Sequence, residues 1–128
     1  MRDKLSKYKT KNLKRSFSNA RKGVRVALKS EINIRIHMWI GLFVFGMGIL
    51  LNLSLTKLCI LLVVISSVIV TEMINTAIEF TIDSVFHNRY SPLAGMAKDV
   101  SAAAVMFSAL ISVIIGILIF LPELLKLL

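Results

Sequence analysis

Residues 70–83 read Val-Thr-Glu-Met-Ile-Asn-Thr-Ala-Ile-Glu-Phe-Thr-Ile-Asp, an apolar run that carries three acids and an amide. Glu72, Asn75, Glu79 and Asp83 follow steps of three, four and four. On an α-helix this spacing gathers them within roughly an 80° arc of one face. Thr76 lies beside them. Acids so close repel one another unless a cation or a shifted pKa relieves them. Hard oxygen ligands with no cysteine or histidine pair suit Mg²⁺. A lysine and an acid follow at Lys98-Asp99. Mg²⁺ with a lysine beside it suits a nucleotide polyphosphate, and a further carboxylate set deeper could act as a general base. The chemistry this predicts is phosphoryl transfer from a soluble nucleotide to a lipid alcohol. No P-loop G-x-x-x-x-G-K-[ST] and no protein-kinase signature is present, so such a kinase would be of another design.

The elements that position these residues belong in a bilayer. Of 128 residues, 56% are apolar and only 18% charged, against ~45–50% and ~25% in soluble domains. Such a composition excludes a disordered chain. Cys59 is the only cysteine, which excludes a disulfide scaffold. The length fits one domain, 1–128. Three apolar stretches predict transmembrane helices at about 36–55, 58–86 and 97–121, the last ended by Pro122. No cleavable signal peptide is expected. The expected class is therefore an all-α integral membrane protein.

Charge orients it. Residues 1–35 hold 12 of the 16 Lys and Arg against Asp3 and Glu31, a net +10, while residues 36–128 sum to −1. A basic arm on an apolar body predicts an anionic membrane surface rather than nucleic acid. It places the N-terminus in the cytoplasm, the second connection (87–99) on the same side, and the C-terminus outside the cell membrane. Within the arm, Phe17, Ala20, Val24, Ala27 and Leu28 share one helical face and Arg21, Lys22, Arg25 and Lys29 another, the pattern of an amphipathic surface helix. Glu31 falls on its apolar face.

The second span enters from outside near Leu58, which puts Glu72 ~21 Å into a hydrocarbon core of ~30 Å. A carboxylate there costs at least ~2–3 kcal/mol and marks a functional site. Glu79 and Asp83 then emerge at the cytoplasmic interface. Ser91-Pro92 predicts an N-cap with proline at the first helical position, so that Lys98 lies about two turns in and faces Glu79 and Asp83. Ala104, Ser108, Ser112 and Gly116 recur every four residues, a small-residue face for helix packing within or between subunits. Cys59, the methionines and His87 read as packing or surface residues.

These residues resemble the small prokaryotic diacylglycerol kinase/undecaprenol kinase family of integral membrane kinases, from about Phe17 to Gly116. The run Glu72-x-x-Asn75-x-x-x-Glu79-x-x-x-Asp83 followed by Ala97-Lys98-Asp99-Val-x-Ala-Ala-Ala-Val105 carries the resemblance most specifically. Ser16-Phe17-x-x-Ala20-x-x-Gly23 and Ser-Glu31-x-Asn-x-Arg35-Ile-His37 add to it in the family's Gram-positive form. The resemblance implies that Glu72 is the base for the lipid hydroxyl. It implies that Glu31 and Glu79 hold the Mg²⁺ bound to ATP, and that Asn75, Lys98 and Asp99 surround the phosphates and nucleotide. Lys98 would also meet the transferring phosphate. Asn19 stands where the family usually has a tyrosine near the adenine, and Asn12 where an arginine can occur; Arg15 or Lys14 could supply that charge. The resemblance further implies a homotrimer with active sites shared between subunits. Gram-negative members resemble diacylglycerol kinases and Gram-positive ones mostly undecaprenol kinases, and the Asn-x-Arg-Ile-His run favours undecaprenol. An oligomeric ion or proton pathway, or a non-catalytic membrane adaptor, would also use intramembrane acids, but neither needs Lys98 or Glu31 beside them.

Overall fold

The structure is a computed structural model and describes residues 13–87 and 89–127; Asn12 and the rest of the first twelve residues of the arm lie outside the described residues. Four α-helices follow one another: α1 (Leu13–Ser30), α2 (Ile32–Leu50), α3 (Leu55–Phe86) and α4 (Pro92–Leu125). The last three are long and apolar enough to cross a membrane. α3 is central: it packs along α4 and α2, and α1 rests against α2 and α3.

Local chemistry sets each boundary. α2 stops in a Schellman turn. Asn52 takes φ 52°, Asn52 N–H donates to the Ile49 carbonyl (3.0 Å) and Leu53 N–H to the Gly48 carbonyl (3.0 Å). Asparagine tolerates this left-handed conformation better than most residues. Ser54 then caps α3 by accepting from Lys57 N–H (3.5 Å). His87, also left-handed at φ 47°, ends it. Ser91 accepts from Ala94 N–H (3.4 Å) with Pro92 at the first helical position, as its sequence predicts.

Two expectations are corrected. Pro122 does not end the last helix, because α4 continues to Leu125. A proline this near the C-terminus removes one backbone hydrogen bond, and the final turn is held from its side chains. Glu123 accepts from Lys57 of α3 and pairs with Lys126 (3.1 Å). Glu31 does not lie on a helix face. It stands in the break between α1 and α2, extended at φ −114°, ψ 121°. Residues 29–32 contain no glycine or proline, so the periodicity gives no warning of the break. Beside it, the Ser30 hydroxyl donates to the Val26 carbonyl (2.7 Å), and Arg35 reaches back to donate to the Leu28 carbonyl (3.2 Å). A serine bonding back one turn bends helices, and a guanidinium satisfies a carbonyl at a helix C-terminus.

The core is small and sits toward the end of the molecule away from Glu72. Leu53, Leu61 and Ile119 are buried there, with Phe45, Leu58 and Phe120 packed around them. Most large apolar side chains on α2–α4 face outward, among them Leu42, Phe43, Val63, Val100, Phe107 and Leu118. Such a surface is stable in lipid and not in water. Close approach therefore has to hold the helices together. A methyl group on Gly41 would lie 2.5 Å from Ile65 Cγ2, so α2 meets α3 only where Cβ is missing. Ser108 Oγ lies 3.3 Å from Ser67 Oγ, and Ser112 Oγ lies 3.1 Å from the Val64 carbonyl. The middle of the small-residue face thus packs against α3 of the same chain, whereas Ala104 is exposed.

Gly41→Ala should destabilise the fold by about 1–3 kcal/mol through overpacking. Gly95→Ala, on an open surface of α4, should leave stability unchanged or raise it. Thermal unfolding of both variants in detergent, followed by circular dichroism, checks the contrast.

Candidate active site

The face of α3 that carries the acids turns toward the other helices at its deep end and opens toward its C-terminus. Glu72 is 4% exposed and Thr76 3%. The Thr76 hydroxyl donates to the Glu72 carbonyl (3.0 Å), which satisfies it locally. The Glu72 carboxylate meets a residue from α2, with His37 Nε2 3.5 Å from Glu72 Oε1. The carboxylates of Glu31 and Glu79 lie near enough to act on Glu72 through space. The helix break thus brings Glu31 toward the α3 stripe without spending its side chain on a cap.

One turn further along, Asn75 links α3 to α4. Its amide nitrogen donates to Glu79 Oε1 (3.0 Å), and its Oδ1 lies 2.6 Å from the Ser101 hydroxyl. That hydroxyl also lies 2.9 Å from the Lys98 carbonyl, so its single proton serves either acceptor. Asn75 therefore fixes one oxygen of Glu79 and leaves the other to a ligand. At the open end, Lys98 Nζ pairs with Asp83 Oδ1 (2.5 Å), both side chains more than a third exposed. An exposed pair of this kind is worth ~0–1 kcal/mol, so an incoming anion can draw Lys98 away at little cost.

The residues selected from sequence divide accordingly. Glu72 meets α2 through His37, Asn75 ties Glu79 to Ser101 of α4, and Lys98 pairs with Asp83 at the open end, while Glu31 approaches from the break. Asn19 on α1 and Asp99 on α4 are exposed and do not join them. Two participants were missed. Ser101 lies three residues after Lys98 and so shares its face. His37 is the only ionisable side chain of α2 besides Arg35, and an ionisable residue inside an apolar span was a sufficient signal.

Glu31 and Glu79 suit Mg²⁺ as hard oxygen donors. No group of three potential ligands converges among the described residues. Beside these groups runs an apolar groove of about 430 Å³, walled by α2, α3 and α4 from His37 to Phe120. The groove and the acid stripe meet at His37.

Comparison with known proteins decides what this arrangement belongs to. The sequence profile described as "Prokaryotic diacylglycerol kinase" matches residues 18–120. The chain belongs to the prokaryotic diacylglycerol kinase family. It is 39% identical to the undecaprenol kinase of Bacillus subtilis over 110 residues, 86% of this chain and 89% of that protein. It is 37% identical to the diacylglycerol kinase of Synechocystis over 116 residues, 91% of this chain and 66% of that protein. The chain is thus a lipid kinase, a phosphotransferase and a membrane protein, and neither an ion pathway nor an adaptor is needed to account for its acids. The matched segment of this kinase contains every group of the α3 stripe, His37 and Lys98.

Asn75→Ala should release Glu79 from its neighbour. A hydrogen bond to a charged group is worth ~1.5–3 kcal/mol. Turnover at fixed Mg²⁺ and ATP should therefore fall at least about tenfold, and titration with Mg²⁺ should recover part of it.

Proposed function

We propose that this kinase transfers the γ-phosphoryl group of ATP to undecaprenol at the cytoplasmic face of the cell membrane. One observation carries the reading. A buried carboxylate, Glu72, lies against His37, the residue at which an apolar groove meets a string of polar groups running to the end of the helix. A lipid alcohol laid in the groove brings its hydroxyl to Glu72 and leaves its hydrocarbon against α2–α4. Along α4 the groove walls extend from Ala109 to Phe120, ~16 Å of helix, open on one side for a long chain. The Bacillus subtilis relative, named for undecaprenol, supports that acceptor. The Synechocystis relative supports diacylglycerol as the second reading.

Each residue then has a part. Glu72 accepts the hydroxyl proton as the lipid oxygen attacks. Glu31 and Glu79 hold Mg²⁺, and when bound it neutralises charge on the ATP phosphates. Asn75 fixes Glu79. Lys98 leaves Asp83 to meet the transferring phosphate, where preorganised positive charge lowers the barrier. Asn19 and Asp99 contact the nucleotide. Both are exposed in one chain and so open to a neighbour, in a homotrimer in which neighbouring subunits complete each site. α1 lies on the cytoplasmic surface as an amphipathic helix, its Lys and Arg toward lipid headgroups. The basic arm supports a cytoplasmic N-terminus and an outer C-terminus.

Purified protein in liposomes with ATP and Mg²⁺ should phosphorylate undecaprenol faster than diacylglycerol. The reverse ranking would assign the acceptor to the second reading. Glu72→Gln should lower turnover by about 10²–10⁴-fold, the usual worth of a general base, with ATP affinity by calorimetry nearly intact. Loss of both together would move Glu72 into the nucleotide site. Lys98→Ala should cost more than about tenfold, since a preorganised charge is worth several kcal/mol, and Lys126→Ala little.

A further inference from the structure

Phosphorylating an alcohol leaves a proton behind. The lipid oxygen forms its bond to phosphorus as the bond to the ADP oxygen breaks, ADP keeps that electron pair, and the hydroxyl proton must leave the site once per turnover. On the reading above, Glu72 receives it. Glu72 is buried, so it needs a way to shed the proton before the next cycle. Among the described residues, one basic group meets it. His37 Nε2 lies 3.5 Å from Glu72 Oε1, and the imidazole is 27% exposed where the Glu72 side chain is 6% exposed. Of the other charged groups around this pair, Glu79 on α3 and Glu31 in the break are acids. Arg35 on α2 is turned to the Leu28 carbonyl. The Lys and Arg side chains of α1 are all exposed, and α4 lines the groove with no ionisable residue.

We infer that His37 is the positioning residue of Glu72 and the outlet for its proton. In the resting site His37 presents Nε2–H to the Glu72 carboxylate and holds it beside the groove that His37 lines. After transfer, the proton passes from Glu72 Oε1 to Nε2, which restores the carboxylate and forms an imidazolium. The imidazolium loses its Nδ1 proton to water on its exposed side, which leaves Nε2–H donating again to the restored carboxylate; tautomer exchange frees Nε2 when Glu72 is next protonated. One proton enters and one leaves per lipid phosphate made, so the cycle closes without another reactant. A histidine fits because one imidazole nitrogen can take a proton while the other releases one.

The inference rests on Glu72 as the base, and the test separates the two. Steady-state turnover with undecaprenol and Mg-ATP is measured from pH 5.5 to 8.5 for wild type, His37→Ala, His37→Gln, Glu72→Gln and, as a control, His87→Asn. His37→Ala should lose about tenfold or more in kcat with KM for ATP unchanged, a share of general acid–base assistance. Its pH–rate profile should differ in shape from that of the wild type, and added imidazole should restore part of the rate. His37→Gln keeps a hydrogen-bonding side chain of similar reach but takes no proton, so it should stay slow; if His37→Ala fails to fold, this variant carries the test. Full activity in His37→Gln would reduce His37 to a spacer and overturn the relay. A wild-type pH profile in either variant, or no response of His37→Ala to imidazole, would overturn it too. If Glu72→Gln is slow while both His37 variants match wild type, the base stands and the relay falls. If Glu72→Gln matches wild type, both fall.

Discussion

A carboxylate set among membrane helices is expensive to hold, and this fold is organised around holding one. At bilayer depth an acid costs at least ~2–3 kcal/mol, and only contacts within the protein can offset it. Glu72 has those contacts because α3 lies between α2 and α4. α2 supplies His37 to the carboxylate, and the apolar neighbours Val68 and Ile34 are buried nearby in sequence or on the facing helix. The three-helix arrangement follows from that need as much as from hydrophobicity, since a lipid solvent gives apolar helices little reason to associate.

Association is arranged by shape and by hydroxyl groups. Gly41 removes the side chain that would keep α2 from α3, and Ser108 and Ser112 let α4 lie against Ser67 and the Val64 carbonyl. These contacts lie between the small core near Leu61 and the acid stripe. They fix the axial register of α3, and so the height at which Glu72, Asn75, Glu79 and Asp83 appear.

Much of this was legible in the sequence. The steps of three, four and four on α3, the Ser91-Pro92 helix start and the small-residue face of α4 are local patterns, and a helix reproduces them whatever surrounds it. Glu31 was legible as an odd acid but not as a break, because the side chains that bend the chain there, Ser30 and Arg35, act through backbone carbonyls that carry no sequence signal. Beyond Pro122, Glu123 meets Lys57, 66 residues earlier in the chain. His37 and Ser101 gain their meaning from partners on other helices. Pairings between helices are what one-dimensional spacing leaves open, and the site is built from them.

The helices differ in length, and this reaches beyond packing. α2 has 19 residues, ~28 Å, and so matches a hydrocarbon layer of ~30 Å, whereas α3 and α4 have 32 and 34 residues and overshoot it by ~18–21 Å. α2 therefore acts as the gauge of the bundle. The lipid sets its height and tilt, and through Gly41 it sets those of α3. A membrane thinner or thicker than α2 prefers imposes hydrophobic mismatch, and the bundle must tilt or the lipid must deform around it. Either response shifts Glu72 relative to the layer in which lipid hydroxyl groups float. The height of Glu72 is thus set by a scaffold that the acyl chains themselves position.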